Sequence, residues 1–503
     1  MQRLRPSTLS DLPPQVGRPT YDRERLRIGI VHLGLGAFHR AHQAVMTETL
    51  LRAGHGDWGI AGVSLRSGET RDALAPQDGL YTLAIRDADQ DRFEVIGAVV
   101  RRLVASEDPA ALLALMAAPE TRIVSLTVTE KGYCHRPATG DLDDTHPDII
   151  HDLANPSRPR TAIGFIAEAI DRRRQMGLAP FTVLSCDNLP ANGRTLAQVV
   201  SCFAAHRDQA LADYIKAHVA FPSSMVDRIV PATTSADRDL IARALHVDDA
   251  WPVVTEPFIQ WVIEDRFPGG RPDWEVAGAT FVTDVAPFEH MKLRLLNGSH
   301  STLAYLGCLA GHETVSQAMA APGFADLIEG LMREEVTPTL PVLDGFDIAA
   351  YRSALLARFR NPMLRHRTQQ IAMDGSQKLP QRLLGTIRDR LRAGARFERL
   401  ALGLAAWMIY AAGRDEAGHP IDVCDPLAFR IAAATRGTRD PAALVEAYMG
   451  FGDVFGTDLP ASAPFRSEVT QAAHHLLQRG AAQVVRGFST GRTLSATASA
   501  HRD

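Results

Sequence analysis

The stretch Ile28-Gly29-Ile30-Val31-His32-Leu33-Gly34-Leu35-Gly36-Ala37-Phe38-His39 decides the fold. Its first six residues are an apolar, β-branched run that stops at a glycine, and a helix-like pattern follows to about Leu51. A strand ending in Gly-x-Gly and opening a helix is the setting of a phosphate-cradling turn. Absent side chains there let backbone N–H groups and a helix N-terminus approach a pyrophosphate. Gly34, Gly36, Phe38, His39 and Arg40 are the cofactor-binding candidates of this turn. His39 replaces the usual third glycine, so a plain strand-to-helix turn is the alternative reading. His39 and His42 are spaced like metal ligands but have no third ligand nearby, which favours packing or phosphate contact and no metal.

Further strand-like runs cover residues 60–65, 81–86, 93–100, 123–128 and 181–186, with helical patterns at 109–118 and 162–176 among them. Such alternation predicts an α/β domain with a mostly parallel sheet. From about Phe288 the character changes to long amphipathic stretches, at 291–309, 324–335, 379–395 and 396–412. The reading is therefore two domains, 1–285 dinucleotide-binding and 286–503 mainly α-helical. Residues 1–26 look like a Pro- and Arg-rich lead-in, 337–346 a connector and 488–503 a frayed tail. Glu69 follows the second strand, 33 residues after Gly36. A carboxylate there would bond a ribose 2′-hydroxyl and repel a 2′-phosphate, favouring NAD over NADP; a plain helix N-terminal carboxylate is the alternative.

Composition narrows the class. The 503 residues are 46% hydrophobic and 22% charged, with a net charge of −4. That suits a globular protein and argues against nucleic-acid binding through a basic field. Five scattered cysteines without a CxxC pair fit a reducing cytosol. The start of the chain has no apolar signal core, and the longest apolar run, 400–413, is too short to span a bilayer. A soluble cytoplasmic protein with no membrane partner is expected. Only four residues are lysines (131, 216, 292, 378) and only five are asparagines (155, 188, 192, 297, 361). Codon bias explains such scarcity and also makes the survivors worth locating. Asn155, Asn192 and Asn361 precede Pro or Gly and read as turn residues.

Lys131, in Thr129-Glu130-Lys131-Gly132-Tyr133, and Asn188 each follow a strand, where ligands of open α/β sheets bind. The richest stretch is residues 289–300, EHMKLRLLNGSH. At about 100° per residue, Glu289, His300 and Asn297 fall at roughly 60°, 80° and 140° from Lys292. They share one side of a helix with Leu293 and Leu296. One reading is a satisfied polar cluster. The other is catalytic. Lys292 would be an acid/base made easier to deprotonate by burial. Asn188 and Asn297 would polarise a carbonyl, His300 would orient, and Glu289 would relay the proton. Tyr-x-x-x-Lys and GxxxxGK[ST] are both absent. What remains is a metal-free oxidoreductase with a lysine acid/base.

The segments GLGAFHRAHQ (34–43), IVSLTVTEKGY (123–133), FTVLSCDN (181–188), MVDRIVPATT (225–234), EPFIQWVIEDRF (256–267), MKLRLLNGSHSTLAYLG (291–307) and HRTQQIAMDGSQKLPQR (366–382) together resemble the polyol-specific long-chain dehydrogenase/reductase family, which includes mannitol 2-dehydrogenase and fructuronate reductase. The resemblance implies a Rossmann-like N-terminal domain, a helical C-terminal domain and metal-free NAD(P) chemistry. It implies Lys292 as general acid/base, Asn188 and Asn297 as the carbonyl-polarising pair, His300 as orienting partner and Glu289 as proton relay. Asp227 and Lys378 would join the substrate pocket, and Glu69 would select NAD. Mannitol-type members carry arginine where this chain has Gln370. The 364–382 segment and the Lys131 turn look closer to fructuronate reductases, which interconvert D-fructuronate and D-mannonate. A carboxylate substrate needs a cation, for which Arg365, Arg367 and Lys131 are candidates. The implied activity is NADH-dependent reduction of a keto sugar acid, with a polyol dehydrogenase as the alternative. A silent NAD-binding regulator is disfavoured by the intact Lys292 set. The fold analogy allows a monomer.

Overall fold

The computed structural model describes residues 1–490 apart from 137–139, 344, 416–417, 437 and 439. The tail expected at 488–503 lies largely outside the described residues; its first part, Gly487–Thr490, is a 3₁₀ turn. The chain divides into two compact units, Met1–Ala286 and Pro287–Asp503.

The first unit is built on five parallel strands, β1 (Ile28–Leu33), β2 (Gly59–Ser64), β3 (Val99–Val104), β4 (Ile123–Leu126) and β5 (Thr182–Ser185). Their order is β3-β2-β1-β4-β5, that of a doubly wound nucleotide-binding sheet. The strands read as continuous apolar runs because both faces are buried. Val31, Val63, Val124 and Val183 pack with Leu112, Ile163 and Ile166. Ile30, Ile60, Ile123 and Leu184 face Leu50, Trp58 and Trp261. Helices Gln43–Arg52, Pro109–Ala117 and Ala162–Gln175 lie between strands in the chain.

Three readings are corrected here. The runs at 81–86 and 93–100 do not simply extend the parallel sheet. Tyr81–Ile85 and Arg92–Ile96 form an antiparallel pair in a separate sheet with Val253–Thr255, and Gly97-Ala98 breaks the second run before β3. The lead-in is packed structure: Leu4, Leu12 and Val16 are buried with Leu80, Val95 and Leu245, and Gln2–Arg3 pairs with Val247–Asp248. The helix expected from Gly36 to Leu51 is two helices, Ala37–Ala41 and Gln43–Arg52, broken at His42.

The second unit is helical. Gly298–Leu309 and Glu398–Ala411 are almost wholly buried, since apolar residues surround each helix rather than forming one stripe. Three helices are interrupted by π-wound turns, at Lys292–Asn297, Leu331–Val336 and Pro380–Leu384. No helix among the described residues is long and apolar enough to cross a membrane.

Candidate active site

The Gly-x-Gly turn has the build of a dinucleotide cradle. Gly34 has φ +104°, and a Cβ there would lie 2.1 Å from the Thr127 carbonyl oxygen, so only glycine fits. Its N–H donates to Val63 O (2.7 Å), and Thr127 Oγ donates to its carbonyl (2.9 Å). His32 Nε2 lies 2.9 Å from Thr127 Oγ and its Nδ1 2.8 Å from Ser125 Oγ. Gly36 starts helix Ala37–Ala41 without a side-chain cap and is exposed. A Cβ at Gly36 would find only Gly34 O, at 3.8 Å. The space on that side of the turn is therefore open, as close approach of a ligand to the backbone requires. His32 and Thr127 were missed in the sequence, although a histidine inside an apolar strand is a visible signal.

The side chains of His39 and Arg40 are buried. His39 is 1% exposed and stacks on His32 at 3.5 Å, so its ring packs in the core rather than facing a phosphate. Burial pushes its pKa well below the ordinary value. Arg40 is 4% exposed; its guanidinium donates to Trp251 O (2.5 Å) and lies over the Tyr81 ring. Burial lowers its pKa to about 10. Phe38 is half-buried and stacks on His42, whose Nε2 is 3.0 Å from Gln260 O. Glu69 is exposed at the first residue of helix Glu69–Leu74, just beyond β2.

At the carboxyl ends of β4 and β5, Asp187 ties two loops together. Its carboxylate accepts the N–H groups of Val128 (3.0 Å) and Thr129 (2.9 Å) and the Tyr133 hydroxyl (3.1 Å). Burial raises its pKa, while these bonds oppose the shift. They hold Thr129 at φ +64°, an uncommon conformation for a β-branched residue. Lys131 on this turn and Asn188 beside Asp187 are both exposed. Asn192 is no mere turn residue. It is buried, and its amide bridges Asp187 O (2.9 Å), Ser224 O (2.8 Å) and Ser224 N (2.9 Å). Asp227 ends strand Ser224–Asp227 and is buried.

In the second unit Glu289 lies in helix Ala286–Met291 and is half-buried. Lys292 (8% exposed) opens the π turn that ends at Asn297, and His300 (7% exposed) lies in the following α-helix. The winding over Lys292–Asn297 is π rather than the α expected from the sequence. The Gly298 N–H bonds to Leu293 O, five residues back. A π turn winds more slowly than about 100° per residue, which brings Asn297 nearer the face of Lys292 than the roughly 140° expected. His300 is carried round with it. Its ring lies against Phe359 (4.5 Å) and edge-on to His366 (5.0 Å). Burial, then the charges of His366, Arg358 and Arg382, keep His300 well below the ordinary histidine pKa. Burial takes His366 down to about 4. Both rings are neutral near pH 7.

Lys378 Nζ donates to Met373 O (2.6 Å) and lies 3.9 Å from the Asp374 carboxylate. Burial and Arg382 lower its pKa. Arg367, the N-cap of Thr368–Ala372, and Gln370 within that helix are exposed, as is Arg365 at φ +44°. Arg382, which no local signal marks, is half-buried and donates to Ser301 Oγ (3.1 Å).

A Rossmann-like parallel-sheet unit with an open glycine turn, followed by a helical unit with a buried lysine, defines a dehydrogenase of the two-unit type. The chain belongs to the mannitol dehydrogenase family of oxidoreductases: residues 28–276 match its Rossmann domain and 284–477 its C-terminal domain. It is 49% identical over 486 residues to the D-mannonate oxidoreductase of Escherichia coli, covering 95% of this chain and 99% of that one. It is 41% identical over 492 residues to a mannitol 2-dehydrogenase of Pyricularia oryzae, covering 95% and 97%. Among solved structures, Pseudomonas fluorescens mannitol 2-dehydrogenase in complex with NAD and D-mannitol is 41% identical. That structure superposes with a TM-score of 0.82 over 98% of this chain and 100% of that one.

Proposed function

We propose that this protein is an NAD-dependent reductase of an open-chain keto sugar acid, converting D-fructuronate to D-mannonate reversibly. The observation that carries the reading is the set Glu289, Lys292, Asn297 and His300 on one π-interrupted helix in a chain 49% identical, end to end, to a D-mannonate oxidoreductase. Gly34 and Gly36 would hold the pyrophosphate, and Glu69 a ribose hydroxyl. NAD, when bound, supplies or accepts the hydride. Lys292 gives a proton to the carbonyl oxygen in reduction and removes it in oxidation, a task a buried ammonium meets and a guanidinium does not. Asn297 and Asn188 donate amide N–H groups to that oxygen as negative charge grows on it. His300, neutral and wedged by Phe359 and His366, fixes the direction of approach. Glu289, half-buried one turn before Lys292, returns the proton to solvent. Asp227 and Lys378 engage substrate hydroxyls, and Gln370, Arg367 and Lys131 contribute to the pocket. Five cysteines, all free, fit action in the reducing cytoplasm.

The second reading, mannitol 2-dehydrogenase, is favoured by the 41% identity to proteins of that activity. The two part on product. Incubation with NADH and D-fructuronate is predicted to yield D-mannonate by chromatography. Formation of D-mannitol from D-fructose, with no mannonate from fructuronate, would establish the second reading instead.

A further inference from the structure

A sugar acid brings a carboxylate, and the second unit contains a cation with no carboxylate counterpart among the described residues. Arg294 lies 2.6 Å from Asp389, Arg388 2.7 Å from Asp458, and Arg399 2.8 Å from Glu334. Arg382 has no carboxylate at ion-pair distance among the described residues. Its one hydrogen bond among them is from Nη1 to Ser301 Oγ at 3.1 Å. A guanidinium carries five N–H donors, so most of this one's capacity is unspent.

The neighbouring acids are engaged elsewhere. Asp425 accepts Ser376 N (2.8 Å) and Ser376 Oγ (2.6 Å), and Asp374 lies 3.9 Å from Lys378. Removing an arginine from water without a partner is unfavourable, which makes the place attractive to an anion.

Its location ties it to the chemistry. Arg382 lies in the π turn Pro380–Leu384, which packs on the π turn Lys292–Asn297. The contact is close: a Cβ on Gly298 would come within 2.8 Å of Arg382 O. Gly298 adjoins Asn297, and Ser301, which holds the guanidinium, adjoins His300. The charge of Arg382 is felt at both His300 and Lys378. By contrast Arg365 and Arg367 are exposed.

We propose that Arg382 receives the substrate carboxylate, with Lys378 beside it, and so sets the preference for a sugar acid over the matching neutral polyol. This rests on the sugar-acid reading above. Arg382→Gln and Arg382→Lys test it through the dissociation constants of D-mannonate and D-mannitol, measured by calorimetry on the full-length protein without NAD, so that no turnover occurs. The two ligands differ in a carboxylate against a hydroxymethyl group. The wild type is expected to favour D-mannonate. Arg382→Gln should cut the mannonate-to-mannitol preference by about a hundredfold, and Arg382→Lys, which keeps charge but not the fork, by about tenfold. A preference retained in Arg382→Gln would overturn the assignment while leaving the sugar-acid reading standing. If that variant fails to fold, an unaltered preference in Arg382→Lys does the same. A wild type with no preference for the acid would overturn the sugar-acid reading, and the assignment with it.

Discussion

At the scale of single residues, scarcity and placement coincide. Lys292 is one of four lysines in the chain and is almost fully buried. A cation so placed is tolerated when it is paired or works in chemistry. Replacing it with alanine removes the proton donor and leaves the glycine turn of the other unit untouched. Lys292→Ala is expected to lower kcat by about 10²–10⁴-fold with NADH affinity retained, read by steady-state kinetics beside fluorescence titration. A fall of less than threefold would mean that the proton comes from elsewhere. Asn192 teaches the converse. Its neighbour Gly193 made it look like a turn residue, yet three buried hydrogen bonds make it a clamp. One partner, Asp187, is close in sequence, but Ser224 lies 32 residues on, beyond any local signal.

At the scale of elements, the sequence showed what depends on local pattern and hid what depends on neighbours. β1 is legible to the residue, because a six-residue β-branched run that stops at Gly34 has the length and composition of a buried strand. The strand order was not legible: nothing in residues 81–86 says that they pair with Val253–Thr255 rather than β3. The π turn was hidden for the same reason. Lys292–Asn297 carries an ordinary helical pattern, and its winding is paired with that of Pro380–Leu384, about ninety residues on. His39 and Arg40 were placed at the cofactor because they follow the glycines; the short helix turns both inward. The π turn also makes a prediction. Inserting one residue within 293–296 should turn His300 by about 100° relative to Lys292. Turnover should then be lost while far-ultraviolet circular dichroism stays close to wild type. Activity near the wild-type level would show that the winding does not align these groups.

At the scale of the whole molecule, each unit keeps neutral histidines inside. Burial brings His32 down to about 3 and His366 to about 4. Unfolded, each binds a proton near pH 6.5. The unfolded chain therefore takes up more protons in between, and stability from such a group is full above about pH 6.5. It is lost as pH falls toward the folded value. Burial takes Glu335 the other way, up to about 7, so it destabilises the fold as pH rises from about 4.5. One substitution separates the effects. The gap in urea midpoint between wild type and His366→Gln should shrink as pH is lowered from about 7.5 to about 4.5. A constant gap would mean that His366 is not held neutral.

The central claim, reduction of a keto sugar acid by a lysine-assisted hydride transfer, is tested most directly by one comparison of initial rates. NADH oxidation by the full-length protein is followed with D-fructuronate and, separately, with D-fructose. A higher kcat/KM is expected for D-fructuronate; a higher kcat/KM for D-fructose would contradict reduction of a keto sugar acid.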